Sequence, residues 1–328
     1  MSRPLATLSL DLDDVWAYLR THGDAGWRDA PTLLPRAVER LICLLDELDL
    51  RMTVFVVGRD AQTPAGHEAV SALAAAGHEV ASHSFLHRDD LASLEPAQIA
   101  DDLARTAKAI IAVTGRRPTG FRCPSYGRSP TLLQTLVRQG YAYDASVLPT
   151  CLAPLLRLHH RATMSQAARR ATGRQRDLFG PAANALLPLS PFCWDTDAGL
   201  LLELPITTFP LLRTPIHASY LQALAARSPR AAHAYLRSGL RACRRRGIAP
   251  SFLLHPPDVC DDHDVPSLSY LPGMARPWPQ KVDVLRRTLT LLADDFQVVP
   301  LNQAAEVELL SAGELRVVAT RASAVGPT

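Results

Sequence analysis

Lysine is almost missing from this chain: of its 35 basic residues only Lys108 and Lys281 are lysines, a bias that reads as GC-rich coding rather than as a recognition device. Net charge is only +3 over 328 residues, which gives no case for a nucleic-acid partner. Cysteine is sparse and scattered. Cys43, Cys123, Cys151, Cys193, Cys243 and Cys260 make no CxxC pair and no dense framework, so a disulfide scaffold is excluded and free thiols in a reducing compartment are expected. Long apolar runs are missing too, none approaching the ~18–20 residues of a spanning helix. The opening MSRPLATLSLDLDD meets acidic residues by position 11, so no secretory leader is expected. These absences predict a cytoplasmic protein, free to touch the inner face of a membrane.

What is present is a large core. With 47% hydrophobic and 20% charged residues, the chain can fill one α/β barrel or two domains. Strand and helix patterns alternate. Leu5 to Leu12 reads as a strand and Pro35 to Leu48 as an amphipathic helix. Met52 to Val57 (MTVFVV) reads as a parallel strand buried on both faces. Helices are expected over 66–76, 96–113 and 130–139, with strands at 79–82, 119–122 and from 141. The rhythm breaks over 148–198, read as an insertion, and resumes with a strand at 200–208, helices near 217–226 and 229–246, a strand at 250–255, a helix at 279–293 and a strand at 296–299. The expectation is a single domain over 1–315 with a loosely ordered tail over 316–328. Such βαβ repetition argues for a parallel sheet or barrel.

Polar groups gather where apolar strands stop, the edge at which α/β folds place their chemistry. Asp11, Asp13 and Asp14 end the first strand. His83 and His87 follow the third, and their i, i+4 spacing, set on a helical turn, would present both imidazoles on one face to a divalent cation. Arg122 to Tyr126 follow the fourth, and His255 ends a late one.

The segments SLDLDD at 9–14, GHEVASHSFLH at 77–87, GFRCPSYGRS at 120–129, YDASVLP at 143–149 and LLHP at 253–256 occur in the order of a known motif set. On them the chain resembles the polysaccharide deacetylases of the NodB-homology family, also called carbohydrate esterase family 4. The resemblance implies a distorted (β/α) barrel and metal-dependent hydrolysis of an acyl group, acetyl or formyl, from an amino sugar. It implies Asp13, His83 and His87 as metal ligands, zinc first, with cobalt, nickel and manganese as the other candidates. Asp11 becomes the base, Arg122 the residue that orients it, and His255 the acid that protonates the leaving amine. An oxyanion-binding N–H is implied near Ser125 or Tyr126, and Asp144 shapes the pocket. Reading Asp13 and Asp14 as the base and ligand pair is the alternative, but strand alternation places Asp11 and Asp13 on one face and turns Asp14 away, as a capping or solvent-facing carboxylate. The family's aspartate–tryptophan motif has no clear copy. Glu203, in LELP, stands in its place and would contact the His255 region or cap a strand.

The 152–176 stretch joins apolar residues from Leu152 to Leu158 with Arg157, His159, His160, Arg161, Arg169, Arg170, Arg174 and Arg176. It reads either as a solvated hairpin or as a basic lid meeting phosphate headgroups. With the lid, the substrate becomes a lipid-phosphate-linked (polyprenyl) or nucleotide-linked amino sugar. Two rival readings exist. A haloacid-dehalogenase-like phosphatase would use magnesium, an aspartyl-phosphate at Asp11, Lys281 and the Asp294–Asp295 pair, and it leaves HSFLH, RCPSY and LLHP without a role. A non-catalytic carbohydrate-binding barrel would not need the full set of ionisable groups.

Overall fold

A computed structural model describes residues 3–164, 178–310 and 315–320. The first strand, β1 (Leu5–Leu12), sets the plan. Its alternate residues Ala6, Leu8, Leu10 and Leu12 are fully buried among the surrounding helices, while Thr7, Ser9 and Asp11 face the other way and are buried too. One face of the strand is therefore an apolar floor for helices, and the other lines a polar interior. Each buried leucine on the helix side contributes roughly 1.5–3 kcal/mol.

Around β1 stand β2 (Thr53–Val56), β3 (Glu79–Ser82), β4 (Gly120–Phe121), β5 (Tyr143–Asp144), β6 (Phe192–Thr196), β7 (Gly199–Glu203), β8 (Ser251–Leu254), β9 (Gln297–Val299) and β10 (Arg316–Ala319). The ladder runs β10-β6-β7-β5-β4-β3-β2-β1-β8, with β9 also paired to β1. Every pairing is parallel except the β6–β7 hairpin. The register sets Ser9 of β1 beside Thr53 on one flank and Leu253 on the other. Beyond β7 the chain returns to β8: Thr207 N donates to Ser251 O at 3.1 Å, and Ser251 N donates to the Thr207 hydroxyl. These bonds tie the segment after β7 to β8 without a full strand pairing and leave β6 and β10 outside the closure, which makes the barrel a distorted one.

The connections are the helices that the alternation predicts. Leu34–Glu47, Pro64–Ala75, Pro96–Thr114, Pro130–Arg138, Ala218–Arg227, Pro229–Arg245 and Trp278–Asp295 carry the bulk of the outer layer. Four of them open on proline in the first turn and are capped by a preceding side chain: Thr63, Glu95, Ser129 and Ser228. Among the described residues no helix is long and apolar enough to cross a membrane.

Two sequence expectations are corrected. The end of the expected insertion is a strand: in β6, Phe192 and Trp194 are buried against the helix Pro130–Arg138 side of the sheet. Pro188 and Pro191 just before it hide its alternation. The tail expected to be loose contributes β10, which pairs in register with β6 from Arg316↔Phe192 to Ala319↔Asp195 and lays Val318 on the same cluster. Four of the basic residues of the expected lid, Arg169, Arg170, Arg174 and Arg176, lie outside the described residues, as does 321–328.

Candidate metal and catalytic site

Asp13 follows the last residue of β1 and is 5% exposed, and Asp14 beside it turns outward to cap the helix Val15–His22. The Asp14 carboxylate accepts from Val15 N at 2.8 Å and from Leu33 N at 2.9 Å, so it is committed to two backbone donors. His83 and His87 follow β3 in an irregular loop, not on a helical turn as their spacing suggests. Ser84 (φ 62°) and His87 (φ 47°) are left-handed, a backbone that a regular turn of helix does not contain. The loop is pinned instead by Gly58 N to Ser84 O and Arg59 N to Phe85 O, both 2.9 Å, and by the Asp102 carboxylate, which accepts from Phe85 N at 2.8 Å. A Cβ on Gly58 would sit 2.7 Å from the Phe85 ring and 2.9 Å from Thr106 Cα, so this approach needs glycine.

The loop nevertheless brings the three expected ligands together. His83 Nε2 lies 3.5 Å and His87 Nε2 3.3 Å from Asp13 Oδ1, and one donor atom from each residue falls within 4.8 Å of the others. A tetrahedral zinc at ~2.0–2.2 Å from each donor sets its ligand atoms about 3.3–3.5 Å apart, which matches. Three further observations fit a cation. Asp13 Oδ1 is buried with no hydrogen-bond partner. The Arg122 carbonyl lies 2.8 Å from His83 Nδ1, which fixes the proton there and leaves Nε2 bare toward Asp13. Finally, burial alone would raise the Asp13 pKa, yet His87 and His83 hold it well below the usual carboxylate range, so the oxygen is ionised. Burial pushes His83 down, whereas Asp13 outweighs burial at His87 and raises it.

Beside these ligands stands Asp11. Arg122 is fully buried, and its Nη1 donates to Asp11 Oδ1 at 2.6 Å and to Ser9 Oγ at 3.0 Å, while its Nε donates to Ala145 O at 2.8 Å. The guanidinium also rests 4.1 Å from the centre of the Phe55 ring. Arg122 thus grips Asp11 with its side chain and His83 with its carbonyl. The other Asp11 oxygen, Oδ2, faces His255 Nε2 at 3.8 Å. His255 is held at its far nitrogen by Ser219 Oγ at 3.3 Å and at its backbone N–H by Asp258 Oδ2 at 2.8 Å.

Not every expected residue joins. Ser125 and Tyr126, expected to offer an oxyanion-binding N–H, are left-handed at φ 56° and 61°, but the Ser125 hydroxyl donates to Asp89 and the Tyr126 N–H is taken by Cys123 O at 3.1 Å. Asp144 and Glu203, 1% and 0% exposed, stand on the helix-facing side of the sheet and not in the pocket: the register carries the outward face of β1 from Leu12 through Val56, Ser82 and Phe121 to Asp144 and Glu203. Glu203 does not reach His255; it accepts from Val147 N at 2.9 Å and Trp194 Nε1 at 2.8 Å. Ser146 donates to Asp144 and accepts from Cys123 N at 2.8 Å. Burial, and for Glu203 the facing Asp144, raise both acids: Asp144 to about 6, Glu203 further.

The sequence reading passed over Ser9, Ser219, Asp258 and Trp194. Ser9 was legible, since it lies two residues before Asp11 on one strand face; the others come from distant elements with no local signal. The phosphatase constellation does not assemble. The Lys281 ammonium is bound by the carbonyls of Pro257 and Cys260, and Asp295 pairs with Arg244 at 3.2 Å.

At the strand ends of this distorted α/β barrel, Asp13, His83 and His87 thus lie together beside an aspartate gripped by Arg122. Residues 22–143 match the family model described as polysaccharide deacetylase. The peptidoglycan deacetylase of Helicobacter pylori is 28% identical over 157 residues, covering 46% of this chain and 52% of that protein. The peptidoglycan deacetylase-like protein FGM2 of Gibberella zeae is 33% identical over 113 residues, covering 34% of this chain and 32% of that protein. The matched region thus spans about half of the first relative's length and a third of the second's. A solved Mycobacterium smegmatis structure described as a polysaccharide deacetylase superposes with a TM-score of 0.64 at 22% identity, covering 97% of this chain and 94% of that one, a likeness of fold.

Proposed function

We propose that the protein is a metal-dependent deacylase that hydrolyses an N-acyl amide on an amino sugar. The observation that carries this reading is the adjacency of two half-sites, an ionised buried carboxylate oxygen with no partner between two imidazoles, and an aspartate with one oxygen gripped and one free. Asp13, His83 and His87 would hold the divalent ion, zinc first. When bound, that ion supplies Lewis acidity, which polarises an acyl carbonyl and acidifies water.

The chain's own residues do the rest. Arg122 occupies Asp11 Oδ1, so a proton leaving the attacking water goes to Oδ2. His255 Nε2, on the same side, gives its proton to the departing amine, and Ser219 and Asp258 keep the ring from turning away. The buried Arg122 charge offsets the negative charge that Asp11 carries before it takes the proton. The names of the relatives, peptidoglycan deacetylases, favour a glycan amide as the substrate.

A polyprenyl-phosphate-linked or nucleotide-linked carrier, handled in the cytoplasm at the membrane face, is the finer part of the proposal. Its support is the helix Ala153–Thr163, which exposes Leu155 and Leu158 to 60% and 65%, and the six free cysteines. Arg157, counted above among the headgroup-binding residues, instead donates to Leu178 O and Gly180 O. The test is release of acetate or formate from N-acyl hexosamine substrates by the zinc-loaded protein. Asp11→Asn and His255→Ala should each lower kcat by roughly 10²–10⁴-fold. Turnover unchanged in both would sink the reading.

A further inference from the structure

Next to His255 the barrel mouth opens into a cavity of about 340 Å³ that the deacylation chemistry above does not use. It shares His255 and Tyr126 with the catalytic site and does not reach Asp13, His83 or His87, so it runs from the reacting centre away from the metal cage. Its walls are Leu148, Leu156, Phe179, Tyr220, Tyr270 and Leu271, drawn in part from the helix Ala153–Thr163. Charged groups along it are turned into the protein. Lys281 Nζ donates to two backbone carbonyls, and Asp258 accepts from His255 N. His217, also in the wall, is buried and neutral, burial pulling its pKa down to about 3. Two hydroxyls, of Tyr18 and Tyr220, are buried there without partners. An apolar chain attached to a polar head satisfies both kinds of wall.

Resting on the deacylase reading, we propose that this cavity is an acyl-chain pocket and that the amide cleaved carries a medium-chain N-acyl group rather than acetyl. In an N-acylated amino sugar carried on a nucleotide or on no carrier, the acyl chain is the one apolar part, and the sugar, with a hydroxyl on nearly every carbon, finds few partners on such walls. A dry cavity of ~150 Å³ accepts benzene, so this one has room for a chain of about ten carbons. An acetyl group would leave most of it unfilled.

The test pairs a kinetic series with a binding series on the zinc-loaded full chain. N-acetyl, N-butanoyl, N-hexanoyl and N-octanoyl glucosamine are compared by kcat/KM, and acetate through octanoate by calorimetric Kd. Each buried methylene is worth about three- to fourfold, so octanoyl and octanoate should each exceed the acetyl member by at least a hundredfold. Ala223→Phe, which narrows the cavity, should cut the octanoyl-to-acetyl ratio at least tenfold. A flat carboxylate series with acetyl the best substrate overturns the pocket and leaves the deacylase reading intact. Chain-length-dependent carboxylate binding with no amide hydrolysed upholds the pocket and removes the deacylase reading.

Discussion

Two groups of acids are buried in the same barrel and solve the problem of their charge in opposite ways. Asp13 is ionised, unpartnered at one oxygen and faced by two imidazoles. Asp144 and Glu203, on the helix-facing side of the sheet, are met by a hydroxyl, an indole N–H and a backbone N–H, and their raised pKa values keep a proton between them. A buried carboxylate must find either a cation or a proton. The first arrangement is the one proposed above to take a cation, and the second shares a proton.

The contrast can be broken from either side. The largest effect is expected at the cage: His87→Ala should weaken zinc binding more than a hundredfold in a competition titration, since one of three protein ligands is gone. Next comes the scaffold. Glu203→Ala strands two buried donors and leaves a cavity, so chemical denaturation should show a loss of roughly 3–5 kcal/mol. Glu203→Gln keeps the shape but turns an amide nitrogen toward the Val147 or Trp194 N–H, so it should cost less than Glu203→Ala, roughly 1–3 kcal/mol for the one donor left unpaired.

The pH dependence sharpens the same point. Asp144 has a folded pKa raised to about 6 from 3.8, so the native state binds the extra proton. Its contribution is fully present below pH 3.8 and is lost as pH climbs through about 6, on the order of 3 kcal/mol at most, with the pair titrating as one unit. Asp144→Asn should flatten that part of the stability–pH curve; an unchanged slope would place the titration elsewhere. The smallest effect belongs to the neighbour of the cage. Asp14→Ala removes a helix cap worth about 1–2 kcal/mol and should leave zinc affinity alone.

The order of the strands and most helix ranges were legible because each apolar segment is long enough to show its period, as in Leu5–Leu12 and Pro96–Thr114. The cage residues were legible as residue types at strand ends. The geometry that joins them was not. HxxxH spacing suggests a helical turn, but the Asp102 carboxylate and the helix at Gly58–Ala61 hold the chain in a left-handed path that no local propensity encodes. β4 and β5 are two residues each, too short to carry an alternation. From its place in the chain Glu203 reads as contacting the His255 region or capping a strand, whereas its partners Val147 and Trp194 are contributed by a loop and a hairpin strand that only the fold brings near. β6 and β10 were missed because their partners in the sheet are each other and β7, and the prolines before β6 read as a loop.

The most direct measurement is the elemental composition of the purified protein alongside Asp13→Ala and Asp144→Ala. The account predicts close to one first-row divalent metal, zinc foremost, per chain in the wild type and in Asp144→Ala, and none in Asp13→Ala. The same metal content in Asp13→Ala as in the wild type, or loss of metal in Asp144→Ala alone, would contradict the division of the two acid groups into a cation site and a proton-sharing scaffold.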